Sequence, residues 1–225
     1  MVRNDSIALL KEHLSFWKEL TREQQKNLEQ SILKKNFSKG EIMSGGSENC
    51  AGLFLILSGQ VRAYIVSESG REITLYRLFD RDVCLFSASC MLKDITFDIY
   101  NEVEKDTEAY LIPTAVVRRL AKEAVAVQSF MNQLMASRFS EVMWILEQAL
   151  FTSVDKRLAS YLLEQINIQQ TNAIKVTHEK IANDLGTARE VVTRMLKYFQ
   201  NEFMVSLSRG VVEVINKDKI EKLLS

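Results

Sequence analysis

The segment from Thr177 to Gln200 constrains the fold of this chain more than any other. It predicts two short helices joined by a tight turn. The first begins at Thr177, a residue type that caps helix N-termini, and the turn falls at Gly186, whose backbone adopts conformations closed to other residues. Ala182 is small enough to let the two helices cross closely. This arrangement predicts a helix-turn-helix, in which the second helix lies in the major groove of DNA.

The second of these helices has one apolar and one polar face. The residues predicted to be buried are Val191, Val192, Met195, Leu196 and Phe199. The residues left to point outward are Arg189, Glu190, Thr193, Arg194 and Lys197. The alternative is an ordinary helical hairpin whose charged face contacts only water.

Composition excludes several classes of protein. The 225 residues allow two modest domains. The chain has equal numbers of basic and acidic residues (29 each), so we expect specific contacts made by a dimer to supply any affinity for DNA. No apolar run approaches the roughly 18 residues of a membrane span, and three scattered cysteines indicate a reducing cytoplasm. With two histidines, no metal-ligand spacing and no nucleophile–base pair, we expect neither an enzyme nor a metal site.

The chain order predicts an α+β fold. Between Lys34 and Pro113, glycines separate short apolar or alternating runs, which is typical of an antiparallel β-roll of the jelly-roll type. We therefore expect a sensor roll over 1–124, a dimerisation helix and hinge over 125–151, and a winged helix-turn-helix over 152–225. The wing is predicted at Phe203–Ile215, with Arg209 at its tip.

The long helix carries an apolar stripe with alternating steps of four and three residues, the rhythm of a coiled-coil seam. The residues with these steps are Met135, Phe139, Val142, Leu146 and Ala149, and Val127, Met131 and Leu134 extend the predicted seam toward the N-terminus. The alternative is that the helix packs against the roll of its own chain, and part of it is expected to do so. A two-fold homodimer would present two recognition helices to two half-sites.

Three segments carry a resemblance to a known family. They are Lys39-Gly40-Glu41-Ile42, Leu57-Ser58-Gly59-Gln60-Val61 and Thr187-Ala188-Arg189-Glu190-Val191-Val192-Thr193-Arg194. Together with the order of roll, long helix and winged helix-turn-helix, they resemble the Crp/Fnr family of bacterial transcription regulators. The resemblance implies a homodimer on near-palindromic double-stranded DNA, with RNA polymerase as a further partner. A competing interpretation is an effector-binding module whose helical tail contacts protein.

The same resemblance implies roles for individual residues. Arg189, Glu190 and Arg194 fall where the family reads base edges, since arginine bridges guanine O6 and N7 and glutamate accepts from cytosine N4. Backbone contacts are expected from Thr177, His178, Thr187, Thr193, Lys197 and Arg209. Two alternatives stay open: Glu190 caps its helix through the Thr187-x-x-Glu190 pattern, and Arg194 holds a phosphate.

One departure from the family concerns the effector. Where cyclic-nucleotide-binding members carry a phosphate cradle, this chain has Leu85-Phe86 and Phe97-Asp98, with no arginine in the segment, so a cyclic nucleotide is not expected in the usual mode. Three hypotheses remain: an unknown apolar effector, a redox or haem-related sensor at Cys84 and Cys90, or a filled core without ligand. The pocket of the first would consist of Leu85, Phe86, Cys90, Met91 and Phe97. No cofactor is predicted.

Overall fold

A computed structural model of the chain describes residues 10–44, 51–84 and 98–224. Contacts divide the chain into two compact units. The first comprises Met1–Ile65 and Leu75–Val142, and the second comprises Val66–Thr74 and Met143–Ser225.

Six antiparallel strands form the sheet of the N-terminal roll, which confirms the predicted fold class. They are β1 (Leu33–Phe37), β2 (Ile42–Ser44), β3 (Gly52–Val66), β4 (Glu72–Leu78), β5 (Val83–Cys84) and β6 (Tyr100–Pro113). The main path runs β1-β6-β3-β4, while β2 pairs with β6 and β5 pairs with β3. The inward side chains form an apolar cluster that includes Phe54, Ile56, Val61 and Val103.

Strand β3 passes through Gly59 without ending there. Its register against β6 shifts between Ile56 and Val61, and Gly59 has a φ of +113°, so the chain forms a bulge where the sequence suggested a turn. A Cβ atom on Gly59 would lie 2.3 Å from Thr107 Oγ1, so the position demands glycine. The apolar runs Leu53–Leu57 and Val61–Val66, which the sequence indicates as two strands, are therefore parts of one strand.

A short 3-10 helix (Ser15–Glu19) and three α-helices accompany the roll: α1 (Arg22–Ser31), α2 (Thr114–Glu123) and α3 (Val125–Phe151). A capping box starts α1, with Gln24 N–H donating to Thr21 Oγ1 at 3.2 Å and Thr21 N–H donating to Gln24 Oε1 at 3.0 Å. Pro113 precedes α2 directly. Residues of all three α-helices share a second apolar cluster with strands β3 and β6.

The C-terminal part of the second unit is a winged helix-turn-helix. Its elements are α4 (Val154–Gln169), β7 (Ala173–Lys175), α5 (His178–Leu185), α6 (Arg189–Asn201), β8 (Val205–Ser208), β9 (Val211–Val214) and α7 (Lys217–Lys222). The strands form a small antiparallel sheet in the order β7-β9-β8, whose β8–β9 hairpin is the wing. The core of this unit includes Leu158, Leu162, Ile181 and Leu196, all fully buried.

A buried carboxylate braces this unit. The side chain of Asp184, on α5, is almost fully enclosed. Tyr161 Oη donates to its Oδ2 at 3.0 Å and Thr74 Oγ1 donates to its Oδ1 at 2.6 Å, while Lys180 Nζ lies 3.6 Å from Oδ1. Hydrogen bonds and a nearby cation offset the cost of burying such a charge. They also tie α4 and the segment Val66–Thr74 to α5.

Candidate nucleic-acid interface

The turn between α5 and α6 has the geometry that the sequence predicted. Thr177 Oγ1 accepts the backbone N–H of Lys180 at 3.1 Å and so caps α5. Gly186 ends α5 in the left-handed conformation, with φ of +62°. The Thr187 N–H then donates to the Ala182 carbonyl at 3.0 Å, which fixes the chain as it turns into α6.

The inner face of α6 anchors it in the core. Val192, Leu196 and Phe199 are completely buried, and they belong to the same cluster as Ile181 and Ala182 of α5. Val191 and Met195, which were predicted to be buried, are half-buried at the margin of this contact. With these apolar side chains committed to the core, α6 presents its opposite face outward.

That outer face forms one open groove. It is lined by Arg189, Glu190, Thr193, Arg194 and Lys197. All three residues predicted to read bases are therefore brought together. Helix α6 begins after Ala188 without any side-chain cap, so the alternative role of Glu190 as a capping residue is not what the structure shows. Glu190 is exposed instead.

A second groove lies between the start of α5 and the wing. It is lined by Val176, Thr177, His178, Glu179, Arg189 and the wing residues 208–212. Three of the predicted backbone contacts, Thr177, His178 and Arg209, share this groove, whereas Thr193 and Lys197 belong to the first. Thr187 lies in the turn between α5 and α6 and lines neither groove. Arg189 lines both grooves, so they meet at this residue.

His178 connects the two helices through its ring. Its Nδ1 and Thr193 Oγ1 lie 2.9 Å apart, within hydrogen-bond distance. Burial, with the positive charge of Arg189 as the second cause, lowers the pKa of the His178 imidazole below its ordinary value of 6.5. The ring is therefore mostly neutral at pH 7 in the unbound protein.

Glu179 also lines the groove between α5 and the wing, and it is absent from the residues predicted from the sequence. Its Oε2 lies 3.9 Å from Arg189 Nε, and both side chains are largely exposed. The available signal was its position, one residue after His178 in the first turn of α5. An acid at that point stands out because the neighbouring side chains of both grooves are mostly basic or hydroxylic.

The long helix α3 has the predicted bounds, but the position of its open face differs. Val127 is only 1% exposed and belongs to the core of the first unit, so its assignment to the seam is corrected. Other predicted seam residues pack partly against the same unit's own clusters: Met131, Leu134, Met135 and Val142. The physical reason is that α3 is apolar on several faces, and one of them covers the roll.

Four exposed apolar residues of α3 lie on one face and form its exposed stripe: Phe139, Met143, Leu146 and Leu150. Trp144 and Phe151 are also exposed, on another face of the helix. Phe139 is 64% exposed and Leu150 is 66% exposed, values far above those of core residues. Their steps of four, three and four residues keep the coiled-coil rhythm. Met143 and Leu150 were missed because the sequence holds a second, equally regular set of positions, and Ala149 is exposed beside this stripe.

A buried arginine links α3 to the roll. Arg138 is 8% exposed; its Nη1 donates to both carboxylate oxygens of Glu141 at 2.8 Å and its Nη2 donates to the Val83 carbonyl at 3.2 Å. The guanidinium also lies 4.5 Å from the ring centroid of Tyr76 on β4. Burial raises the pKa of the Tyr76 hydroxyl well above its usual value of 10. The available signal for this arginine was its place as the single basic residue of Val125–Phe151.

The proposed effector pocket cannot be placed. Its residues Leu85, Phe86, Cys90, Met91 and Phe97 lie outside the described residues. Cys84 is described: it is 1% exposed, and its thiol donates to Asn101 Oδ1 at 3.5 Å. Within ranges 10–44, 51–84 and 98–224, no group of three acidic, histidine or cysteine side chains could hold a metal ion. None of the described helices is long and apolar enough to cross a membrane.

Comparison with known proteins agrees with this geometry. Residues 156–223 match the family of Crp-like helix-turn-helix domains. A solved structure of a Crp/Fnr-family transcriptional regulator from Eubacterium rectale ATCC 33656 is 46% identical, covers 95% of this chain and 99% of its own, and superposes with a TM-score of 0.92.

More distant relatives include a global nitrogen regulator of Synechococcus elongatus, 24% identical over 80% of this chain and 84% of its own length. Another is the cyclic AMP receptor protein of Thermus thermophilus, 27% identical over 76% of this chain and 78% of its own. These proteins are regulators and not enzymes, as the sequence predicted for this chain. The chain belongs to the Crp/Fnr family and is a DNA-binding transcription regulator.

Proposed function

We propose that the protein binds a near-palindromic DNA site as a homodimer, with α6 of each protomer in the major groove. One observation carries this proposal: five polar side chains, three of them cationic, line a single groove on α6, while Val192, Leu196 and Phe199 on the opposite face are fully buried. A helix held in this way by its core exposes its polar face as a rigid surface. In the dimer the two recognition helices would lie about 34 Å apart, one turn of DNA.

Within this groove each residue type has a chemical preference. Arg189 and Arg194 would each bridge O6 and N7 of a guanine, and Glu190 would accept a hydrogen bond from N4 of a cytosine. Lys197, Thr193 and Thr187 would hold phosphates beside them. Thr177, His178 and Arg209 would hold phosphates at the wing. Phosphate contacts fix the position of the protein on DNA, and base contacts select the sequence.

The test uses a duplex that the protein itself selects from a random pool. We expect Arg189→Ala and Arg194→Ala each to weaken binding to this duplex by about 1–3 kcal/mol and to relax selection at one base pair per half-site. Lys197→Ala should weaken binding to all duplexes and reduce the salt slope by about one unit. Equal losses on selected and random duplexes for the two arginine variants would show that they contact only phosphate.

The homodimer is supported by the exposed stripe of α3. Four large apolar side chains, Phe139, Met143, Leu146 and Leu150, remain uncovered on one face of a continuous helix. A second copy of the same helix would cover them by knobs-into-holes packing. The protein-contacting alternative for the tail has no comparable support, since the chain is a DNA-binding regulator.

We further infer that the roll gates DNA binding. Arg138 supports this role, because it joins α3 to β4 and β5 through Tyr76 and the Val83 carbonyl. A signal that moves these strands would therefore shift α3 and its seam. The signal proposed from the sequence is an apolar effector rather than a cyclic nucleotide. RNA polymerase is the proposed partner of the DNA-bound form, in the cytoplasm.

A further inference from the structure

An acidic side chain stands inside the DNA-facing surface. Glu179 lines the groove between α5 and the wing together with Thr177, His178 and Arg209, all proposed phosphate contacts. Its side chain is 61% exposed. A carboxylate in this place repels the DNA backbone, so its presence at the interface lowers the affinity for DNA of any sequence. A surface ion pair as exposed as this one contributes little to folding stability.

The position of Glu179 relative to Arg189 suggests what offsets that cost. Glu179 Oε2 lies nearest to Arg189 Nε, at 3.9 Å. The guanidinium has its N–H donors in a fixed planar fork, and an acceptor on the Nε side leaves the two terminal nitrogens for guanine O6 and N7. At 3.9 Å, beyond hydrogen-bond distance, the carboxylate attracts the Nε side of the guanidinium through its charge.

The carboxylate is held on a rigid support. Thr177 caps the helix on which Glu179 lies, and the adjacent His178 is within hydrogen-bond distance of Thr193 on α6. The cap fixes the first turn of α5, and the contact between His178 and Thr193 holds that turn against the second turn of α6. The backbone of Glu179 is thus held in place, and its exposed side chain lies 3.9 Å from Arg189, where the two grooves meet.

We propose that Glu179 is a specificity-determining residue: it orients Arg189 toward guanine in the correct site and penalises binding everywhere else. The inference rests on the proposed role of Arg189 as a base-reading residue. On matched DNA, the hydrogen bonds of the oriented arginine offset the repulsion between Glu179 and the backbone. On unmatched DNA the repulsion remains and those hydrogen bonds are absent, so the affinity for unmatched DNA falls relative to the affinity for matched DNA.

The test compares Glu179→Gln with Glu221→Gln, which removes the same charge from the C-terminal helix α7. Both variants, checked for unchanged thermal melting, are titrated with the selected duplex and with random duplex over a range of salt concentrations. We expect Glu179→Gln to bind random DNA several-fold more tightly while its affinity for the selected duplex stays level or falls, so that the specificity ratio drops about tenfold. Glu221→Gln should leave the ratio unchanged. A parallel change on both duplexes would overturn the proposal.

A second measurement separates this inference from the proposed function. Replacing the contacted guanine by 7-deazaguanine removes the N7 acceptor and should weaken the wild type more than Glu179→Gln. In an Arg189→Ala background, Glu179→Gln should no longer alter the specificity ratio. If Arg189→Ala itself loses equal affinity on both duplexes, the base-reading role fails. If it loses only selected-site affinity while Glu179→Gln leaves the ratio unchanged, the inference about Glu179 fails alone.

Discussion

His178 is a residue whose charge should respond to bound DNA. In the unbound protein, burial and the positive charge of Arg189 lower the pKa of its imidazole below 6.5. The other groups facing it are Glu179 on its own helix, Thr193 on α6 and Arg209 on the wing. A DNA phosphate in this groove would stabilise the protonated ring and raise its pKa again.

DNA affinity should therefore increase as the pH is lowered from 8 to 6, because binding takes up a proton. The stability of the protein without DNA should have the opposite pH dependence. The unfolded chain takes up this proton at higher pH than the folded chain, so the free energy of unfolding falls as pH falls through about 6.5. His178→Gln, which cannot titrate, should flatten the affinity profile. Fluorescence titrations of the selected duplex with the wild type and with His178→Gln, across this pH range, measure the two affinity profiles. Identical slopes for the two proteins would rule out His178 as the titrating group.

The sequence indicated which residues lie on the outer face of α6, but it did not indicate which side chains contact one another across the two helices. Periodicity placed Arg189, Glu190 and Arg194 on the outer face of the helix, and the resemblance to the Crp/Fnr family selected them as base-reading residues. The contacts of His178 with Thr193 and of Glu179 with Arg189 could not be predicted, because they join two helices whose crossing geometry is set by packing around Ala182. The buried pairing of Asp184 with Tyr161 depends on the same packing.

Among the elements, α3 carries the most direct prediction. Leu146→Glu places a charge in the exposed stripe and should yield monomers that no longer bind the selected duplex, because two carboxylates would be buried against apolar side chains. Ser137→Glu is the matched control: it lies nine residues away, on the opposite face of the helix, and is also exposed. Sedimentation velocity at micromolar concentration reports the assembly state. A dimeric Leu146→Glu variant would show that protomers meet elsewhere.

Element bounds were predicted where a residue type forces them. The absence of proline and glycine over Val125–Phe151 is consistent with the unbroken helix α3 but does not mark its ends, whereas Pro113 marks the start of α2. Glycine was less reliable, because Gly59 marks a bulge inside β3 rather than a turn. The prediction of the exposed face of α3 was wrong for a different reason. When a helix is apolar on several faces, periodicity does not show which face packs against the rest of its own chain.

For the whole molecule, the effector prediction is the one most open to test. We expect neither cyclic AMP nor cyclic GMP to raise the melting temperature, because the segment where the family's phosphate cradle falls offers no arginine. A thermal-shift assay measures this, with an apolar ligand panel run alongside. A rise of several degrees with cyclic AMP would contradict the pocket hypothesis.

The redox hypothesis has a separate test. Cys84 is almost fully buried, which limits the access of oxidants to its thiol. DNA affinity should be the same with and without oxidant, and a Cys84→Ser/Cys90→Ser double variant should match the wild type in both conditions. An oxidant effect that the double variant lacks would establish a thiol sensor.

The order of roll, long helix and winged helix-turn-helix was predictable from the sequence, whereas the assignment of Val66–Thr74 to the same compact unit as the C-terminal residues was not. Roll, long helix and winged helix-turn-helix follow one another as their residue patterns indicate. The grouping of Val66–Thr74 with the C-terminal residues depends on contacts such as that of Thr74 with Asp184, which lie far apart in the chain. Periodicity and turn chemistry report local order and carry no information about such a contact.

If a second copy covers the exposed stripe of α3, the stability of this regulator will depend on its abundance. Where dimerisation covers apolar surface, assembly and folding are linked by mass action, and each protomer gains stability as more copies are present. A cell holding few copies would keep a larger share as separate chains, exposed to proteolysis and unable to bind paired half-sites. Transcription from its target sites would then change more than proportionally with the number of copies of the protein in the cell.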